Sequence, residues 1–164
     1  MKRIGLLSDT HGTLNPRILD FFANCDEIWH AGDIGNIETA LALSARKPLK
    51  AVYGNIDGNE IRLTYPKNQV FECEGIKVFI THIGGYPGRY EKDARRLIET
   101  EKPGMFISGH SHILKVIFDK KHQLLHINPG AAGNSGFHHV ITCVRFVIDG
   151  KDIREMEVFE KQRS

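Results

Sequence analysis

At 164 residues, 41% of them hydrophobic, the chain can bury a sizeable core, and with no Pro/Ser/Gly-rich linker or charge block it is expected to form one domain over 1–164. A formal charge of +2, with Lys/Arg and Asp/Glu intermixed, gives no continuous basic face and argues against a nucleic-acid polymer as partner. Cys25, Cys73 and Cys143 are odd in number and lack C-x-x-C pairing, and no apolar run nears the roughly 20 residues of a membrane-spanning helix, so a cytoplasmic protein with reduced thiols and no membrane partner is expected.

Lys2–Ser8 is too short and too early interrupted by Asp9 to be an export signal and reads as a first strand. Pro16–Phe22 follows as a helix with Pro at its start, then Glu27–His30 as a strand, with Trp29 as a core residue. Asn36 can cap a helix over Ile37–Leu43, and Leu49–Val52 is the next apolar strand. Val78–Thr81 and Met105–Ser108 have the same buried-strand character and bracket a helix over Tyr90–Glu101, which Pro103-Gly104 stops. Arg89, Arg95 and Arg96 read as its solvated face. Segments Asn68–Cys73, Ile76–Ile80, Lys115–Asp119, Gln123–Asn128, Val140–Asp149 and Asp152–Glu160 succeed one another through tight turns such as Glu74-Gly75 and Asp149-Gly150, as hairpins do. An α/β fold is expected: a mixed sheet flanked by helices, packed on a second sheet built largely from the hairpins, as a four-layer α-β-β-α sandwich.

Asp9-x-His11, Gly32-Asp33, Gly54-Asn55, Thr81-His82 and Gly109-His110-Ser111-His112 each follow or end one of the buried strands, where functional groups of open α/β sheets collect. Carboxylates, one amide and imidazoles form an oxygen/nitrogen set suited to divalent first-row metals rather than calcium or a thiolate zinc site. Seven such side chains exceed the need of one ion and suit two, sharing a carboxylate and roughly 3.5–4 Å apart. Asp9 and His11, two apart in an extended segment, would leave the chain on one side and chelate together, and His110 and His112 share that spacing. Glycines at 12, 32, 35, 54, 84, 85 and 109 would give the sharp, positive-φ backbone beside the ligands. Any one of these histidines alone reads as an ordinary core or surface residue, and Asp9 or Asp33 alone as a helix cap; neither accounts for the ordered set. His30, His122 and His126 read as structural or packing residues, while the 129–136 loop leaves His138 and His139 near the site without a fixed role.

The ordered series D-x-H, GD, GN, H, GH-x-H resembles the calcineurin-like metallophosphoesterases, and within them the small bacterial and archaeal single-domain phosphodiesterases. That likeness runs from Ser8-Asp9-Thr10-His11-Gly12 to Asn128-Pro129-Gly130-Ala131. It implies that Asp9, His11 and His112 bind one metal, Asn55, His82 and His110 the other, and Asp33 bridges both with a hydroxide that attacks a small phosphate diester. Catalysis would fall to Asp33, Asn55, His82 and His110, with manganese ahead of nickel, iron, zinc or cobalt. Two divalent ions against two carboxylates and a hydroxide leave a formal charge of about +1 for an anionic ester. Asp57 would hold a ligating imidazole in its tautomer. Where many members carry a histidine after the motif asparagine, this chain has Ile56, which removes an acid for the leaving alcohol and favours diesters with good leaving groups. A nucleotide phosphomonoesterase or pyrophosphohydrolase is the enzymatic alternative. From another class, the retromer scaffold subunit shares the fold but departs from the ligand set. Loops Gly84–Tyr90 and Gly133–His139 would set substrate choice, and a homo-oligomer is compatible with the sequence.

Overall fold

The computed structural model describes residues 1–163. Its elements run β1 (Lys2–Leu7), α1 (Pro16–Phe21), β2 (Glu27–His30), α2 (Ile37–Ser44), β3 (Leu49–Ala51), α3 (Asn59–Thr64), β4 (Asn68–Cys73), β5 (Ile76–Thr81), β6 (Gly85–Tyr86), β7 (Arg89–Tyr90), α4 (Lys92–Glu101), β8 (Met105–Ile107), β9 (Leu114–Asp119), β10 (Leu124–Pro129), β11 (Val140–Asp149) and β12 (Asp152–Gln162). Two five-stranded sheets result, ordered β12-β11-β1-β2-β3 and β4-β5-β8-β10-β9, with a two-stranded β6-β7 ribbon beside the second.

Four layers follow from which side chains each strand buries. Ile4 and Leu6 of β1 meet Val78 and Ile80 of β5 and Ile107 of β8 in a core between the sheets, with Trp29 fully buried in it. The alternate residue Leu7 turns outward to Ile18 and Phe22 around α1 and to Leu43 of α2. Gly5 shares that outward side, and a Cβ there would stand 2.6 Å from the Phe22 ring. On the far side Phe79 and Phe106 are covered by Ala94 and Ile98 of α4. Strands that face apolar layers on both sides read as continuous apolar runs, which is why the sequence shows them clearly.

The division of strands between the sheets departs from the expected one. β5 and β8, expected with the helix-separated strands, sit in the second sheet, while the β11-β12 hairpin completes the first, β11 lying antiparallel to β1 with Leu6 opposite Val144. Pairing between strands so distant in sequence is fixed by the fit of whole faces, and no local turn signal encodes it. Tyr90 is not helical: it pairs with Gly85 in the ribbon, Arg89 pairs with Tyr86, and α4 begins after Glu91, whose carboxylate caps Asp93 and Ala94. No sequence signal marks helix α3, whose six residues behind Gly58, a cap with no side chain, bury only Ile61.

Each sheet holds a parallel trio, β1-β2-β3 at one edge of the first and β5-β8-β10 at the centre of the second. Asp9, Asp33 and Asn55 follow the ends of the first trio, and His82 and His110 follow β5 and β8. The motifs therefore meet where the two sheets end together.

Candidate metal centre

The loops are stitched across the strand ends by backbone hydrogen bonds: Asp9 N–H donates to Gly32 O (2.9 Å), His11 N–H to Asp33 O (3.0 Å) and Gly109 N–H to His82 O (2.9 Å). Asp9, His11, Asp33, His110 and His112 all have positive φ, between 49° and 72°. Such backbone costs a non-glycine residue roughly 1–2 kcal/mol and persists where the surroundings impose it, as at functional sites. The strain thus falls on the candidate ligands themselves. Among the glycines expected to carry it, 12, 32, 35 and 85 have positive φ, whereas 54, 84 and 109 do not. Gly54 and Gly109 are instead required by close approach, since a Cβ at either would collide with Asp33 Oδ1 or Ser8 Oγ. The Asp9–His11 segment is therefore not extended as its spacing suggested. His110 and His112 do not pair with each other either; their side chains part into different groups.

Asp9, His11 and His112 form one cluster of donor atoms and Asp33, His82 and His110 a second, each with all its donors within 4.8 Å of one another. Asp9 Oδ1 lies 3.2 Å from His112 Nε2 and 3.6 Å from His11 Nε2. Asp33 Oδ2 lies 3.2 Å from His82 Nε2 and 3.4 Å from His11 Nε2, reaching both clusters. Asn55 Oδ1 stands 3.1 Å from His110 Nδ1.

Second contacts fix the tautomers. His82 Nδ1 is 2.7 Å from Ala31 O, a group that only accepts, so Nδ1 carries the proton and Nε2 presents a lone pair. His138 Nε2–H donates to Gly133 O (2.7 Å), leaving His138 Nδ1 to accept from His112 Nδ1–H (3.1 Å), so His112 Nε2 is also bare. With the rings neutral, bare nitrogens then face carboxylate oxygens at 3.2 Å, lone pair against lone pair, a conflict that either a proton on the ring or a metal ion relieves. Asp9 Oδ1, His11 Nε2 and His82 Nε2 are buried without a hydrogen-bond partner among the described residues. A cation between such atoms removes the conflict, and cis ligands on bonds of about 2.0–2.2 Å stand roughly 3 Å apart. The donors present therefore fit metal ions.

Several supporting residues differ from expectation. Asp57 touches no imidazole: its carboxylate accepts from the backbone N–H groups of Ile34 (3.1 Å), Gly35 (2.8 Å) and Gly54 (2.8 Å), tying the Asp33 and Asn55 loops together. Three convergent backbone donors outcompete any ring for a buried carboxylate at that spot. Arg62 of the unforeseen α3 donates to the carbonyls of Asp57 and Asn55 and stacks on Tyr53 at 4.5 Å. Asn128 donates to Gly109 O and Ser111 Oγ, both at 3.0 Å, which braces the loop of His110. His30 is fully buried, with Nε2 on Thr10 Oγ1 and Nδ1 accepting from Gly32 N–H, a structural role as read. His138 is the partner of His112, whereas His139 is exposed. No sequence spacing marks His138, because the 129–139 loop returns to the site only through the fold.

Burial alone would raise the Asp9 carboxyl, but the neighbouring His11 and His112 imidazoles and the Ser8 hydroxyl hold it well below the usual carboxylate range. Asp33 is likewise lowered against its burial, chiefly by His82. His11 is raised by Asp9, and His82, despite burial, by Asp33. His126, stacked on Phe106 at 5.2 Å, is pushed the other way, to about 4 from 6.5, by burial. Neutral when folded, it takes up a proton more readily when unfolded, so it costs no stability above pH 6.5 and progressively more as pH falls towards 4. His11 and His82, raised, act with the opposite sign in metal-free protein. The difference between proteins isolates the effect: His126→Phe is expected to lose about 2 kcal/mol less stability than the parent chain on going from roughly pH 7 to pH 5. Urea denaturation at the two pH values checks it.

The sequence model described as the calcineurin-like phosphoesterase superfamily domain matches residues 1–151. A protein named a probable metallophosphoesterase from Methanothermobacter thermautotrophicus is 28% identical over 133 residues, covering 78% of this chain and 76% of that one. Another of that name from Methanocaldococcus jannaschii is 31% identical over 134 residues, covering 78% and 67%. The structure of an archaeal phosphodiesterase superposes with TM-score 0.75 at 21% identity, covering 96% and 99% of the two chains. Entamoeba histolytica Vps29 complexed with zinc superposes with TM-score 0.76 at 14% identity, covering 99% of each.

Proposed function

The chain belongs to the calcineurin-like phosphoesterase superfamily, and from that premise we propose that it is a dinuclear-metal phosphodiesterase acting on a small phosphate diester. The observation that carries the reading is the convergence of imidazole nitrogens and carboxylate oxygens, 3.2 Å apart at the closest, in two adjoining clusters, with Asp33 Oδ2 within 3.4 Å of a nitrogen from each. In this reading Asp9, His11 and His112 hold one ion, Asn55, His82 and His110 the other, and Asp33 serves both. Manganese is the preferred ion, with nickel, iron, zinc or cobalt as alternatives, because the donors are borderline nitrogen and hard oxygen. Two such ions, when bound, supply a hydroxide nucleophile at neutral pH and neutralise charge on the phosphoryl oxygens.

The chain's own residues do the rest. Asp9 Oδ2 takes hydrogen bonds from Ser8 Oγ (2.6 Å) and His110 N–H (3.1 Å), leaving Oδ1 to its cluster. Asp33 Oδ1 is occupied by Ile56 N–H at 3.0 Å, leaving Oδ2. A cleft of about 410 Å³ opens over His11, Asp33 and His110, rimmed by Ile56, Ile113 and Phe137. Ile56 is half exposed there and carries no proton, so the leaving alcohol departs best when it is acidic. No helix among the described residues is long and apolar enough to cross a membrane; a cytoplasmic site of action belongs to the proposal.

The test strips metal with a chelator, restores manganese, nickel or zinc separately, and compares aryl diester with aryl monoester. Turnover is expected to return with metal, to favour the diester and to rise steeply with leaving-group acidity. A monoester preference would select the nucleotide phosphomonoesterase or pyrophosphohydrolase alternative. Turnover with neither ester under any metal would leave the scaffold reading, which shares its fold with the Vps29 proteins.

A further inference from the structure

Beside the metal cleft lies a second cavity, of about 260 Å³, between the outer face of the second sheet and the β6-β7 ribbon. It shares His110, Ser111 and Ile113 with the cleft, so a group in one space is covalently reachable from the other. His126 lines it, 1% exposed, and is the one residue outside the metal clusters with a buried polar atom lacking a partner among the described residues. Its Nδ1 faces the carbonyl of Phe106 at 3.1 Å, which only accepts, so the proton sits there and Nε2 is a bare acceptor. Buried acceptors are almost always satisfied, and one that is not, in a cavity wall, marks a place for a ligand's donor.

The remaining lining supplies donors. Lys115 Nζ sits 3.9 Å over the Tyr86 ring, and neither it nor Arg89 has a carboxylate partner among the described residues. Ser111 Oγ already accepts from Ile113 N–H and Asn128 Nδ2, which leaves its own proton to give. Glu91 gives Oε2 to the cap of α4, which leaves Oε1 as a further acceptor. An alkyl group would leave His126 unpaired. A second anionic group would set lone pairs against its Nε2, and an ammonium would meet Lys115 and Arg89. Hydroxyls both donate and accept, and so satisfy both kinds of wall.

We infer that this cavity receives a polyhydroxyl ester arm of the diester, with His126 Nε2 accepting from one hydroxyl and Lys115 and Ser111 donating to others. The inference rests on the phosphodiesterase reading for the arm's attachment, and on the cavity alone for its chemistry. A ribosyl and a glyceryl arm share that chemistry.

Nitrophenyl diesters whose retained arm is ethyl, glyceryl or ribosyl separate the possibilities. The chain is expected to favour a hydroxylated arm over ethyl by roughly tenfold in kcat/KM, the larger of the two ratios naming the source, and His126→Phe should bring the ratio to about one. Lys115→Met, at a half-buried position, is a second variant expected to lower the same ratio. Equal use of all three arms by the parent chain, or a ratio that survives His126→Phe, would overturn the inference. A readout independent of turnover is the ring-nitrogen resonance of His126 in protein carrying isotope-labelled histidine. It should move on titration with methyl riboside and stay with tetrahydrofuran, the same ring without hydroxyls. No movement with the riboside overturns the cavity assignment whatever the activity; movement without hydrolysis of any diester overturns the phosphodiesterase reading and leaves the cavity standing.

Discussion

Replacing Asp33 by asparagine is expected to lower kcat/KM for an aryl phosphodiester by roughly 10³-fold or more, the several kcal/mol that a shared metal carboxylate supports. The substitution is nearly isosteric, and the amide oxygen can still accept from Ile56 N–H, now at 3.0 Å from Oδ1. What goes is the negative charge at Oδ2 and with it the atom nearest to both clusters. An amide NH₂ in that place can point a donor at the bare nitrogen of neutral His82, so at a pH where that ring is uncharged the metal-free fold should lose no stability. Activity and urea denaturation measured on the same preparation separate the two effects. Undiminished turnover would remove Asp33 from the chemistry.

The largest stability effect is expected at a residue with no contact to the candidate ions. Asp57 is 3% exposed and accepts from three backbone amides on two loops. Asp57→Ala leaves all three without that partner, and charge-assisted bonds of about 1.5–3 kcal/mol each make the expected loss roughly 4 kcal/mol or more. Because the loops bear Asp33 and Asn55, affinity for metal should fall as well. A loss of stability below about 1 kcal/mol would mean that water replaces the carboxylate at no cost.

The contrast between these two aspartates shows what the sequence makes legible. Asp33 stands in a run of strand-end motifs whose order is visible in one dimension, and the buried strands that carry them are legible as apolar runs. Asp57 is conspicuous only by lying two residues after Asn55, and two of its three partners, amides 22 and 23 residues away, come from the fold. The sequence brings His138 near the site but not to His112, its partner across a returning loop, and Arg62 is hidden on a helix with a single buried side chain. Asp9 and His11, expected from their spacing in extended backbone, are both held in the left-handed region by bonds to the loop after β2. Which strands share a sheet was equally beyond local patterns, since β1 pairs with β11 from the far end of the chain.

Metal stoichiometry tests the central claim most directly. After removal of all metal and dialysis against manganese, elemental analysis is expected to find two ions per chain in the parent protein, and fewer in Asp33→Asn. A single ion, or none, in the parent chain would contradict a dinuclear centre.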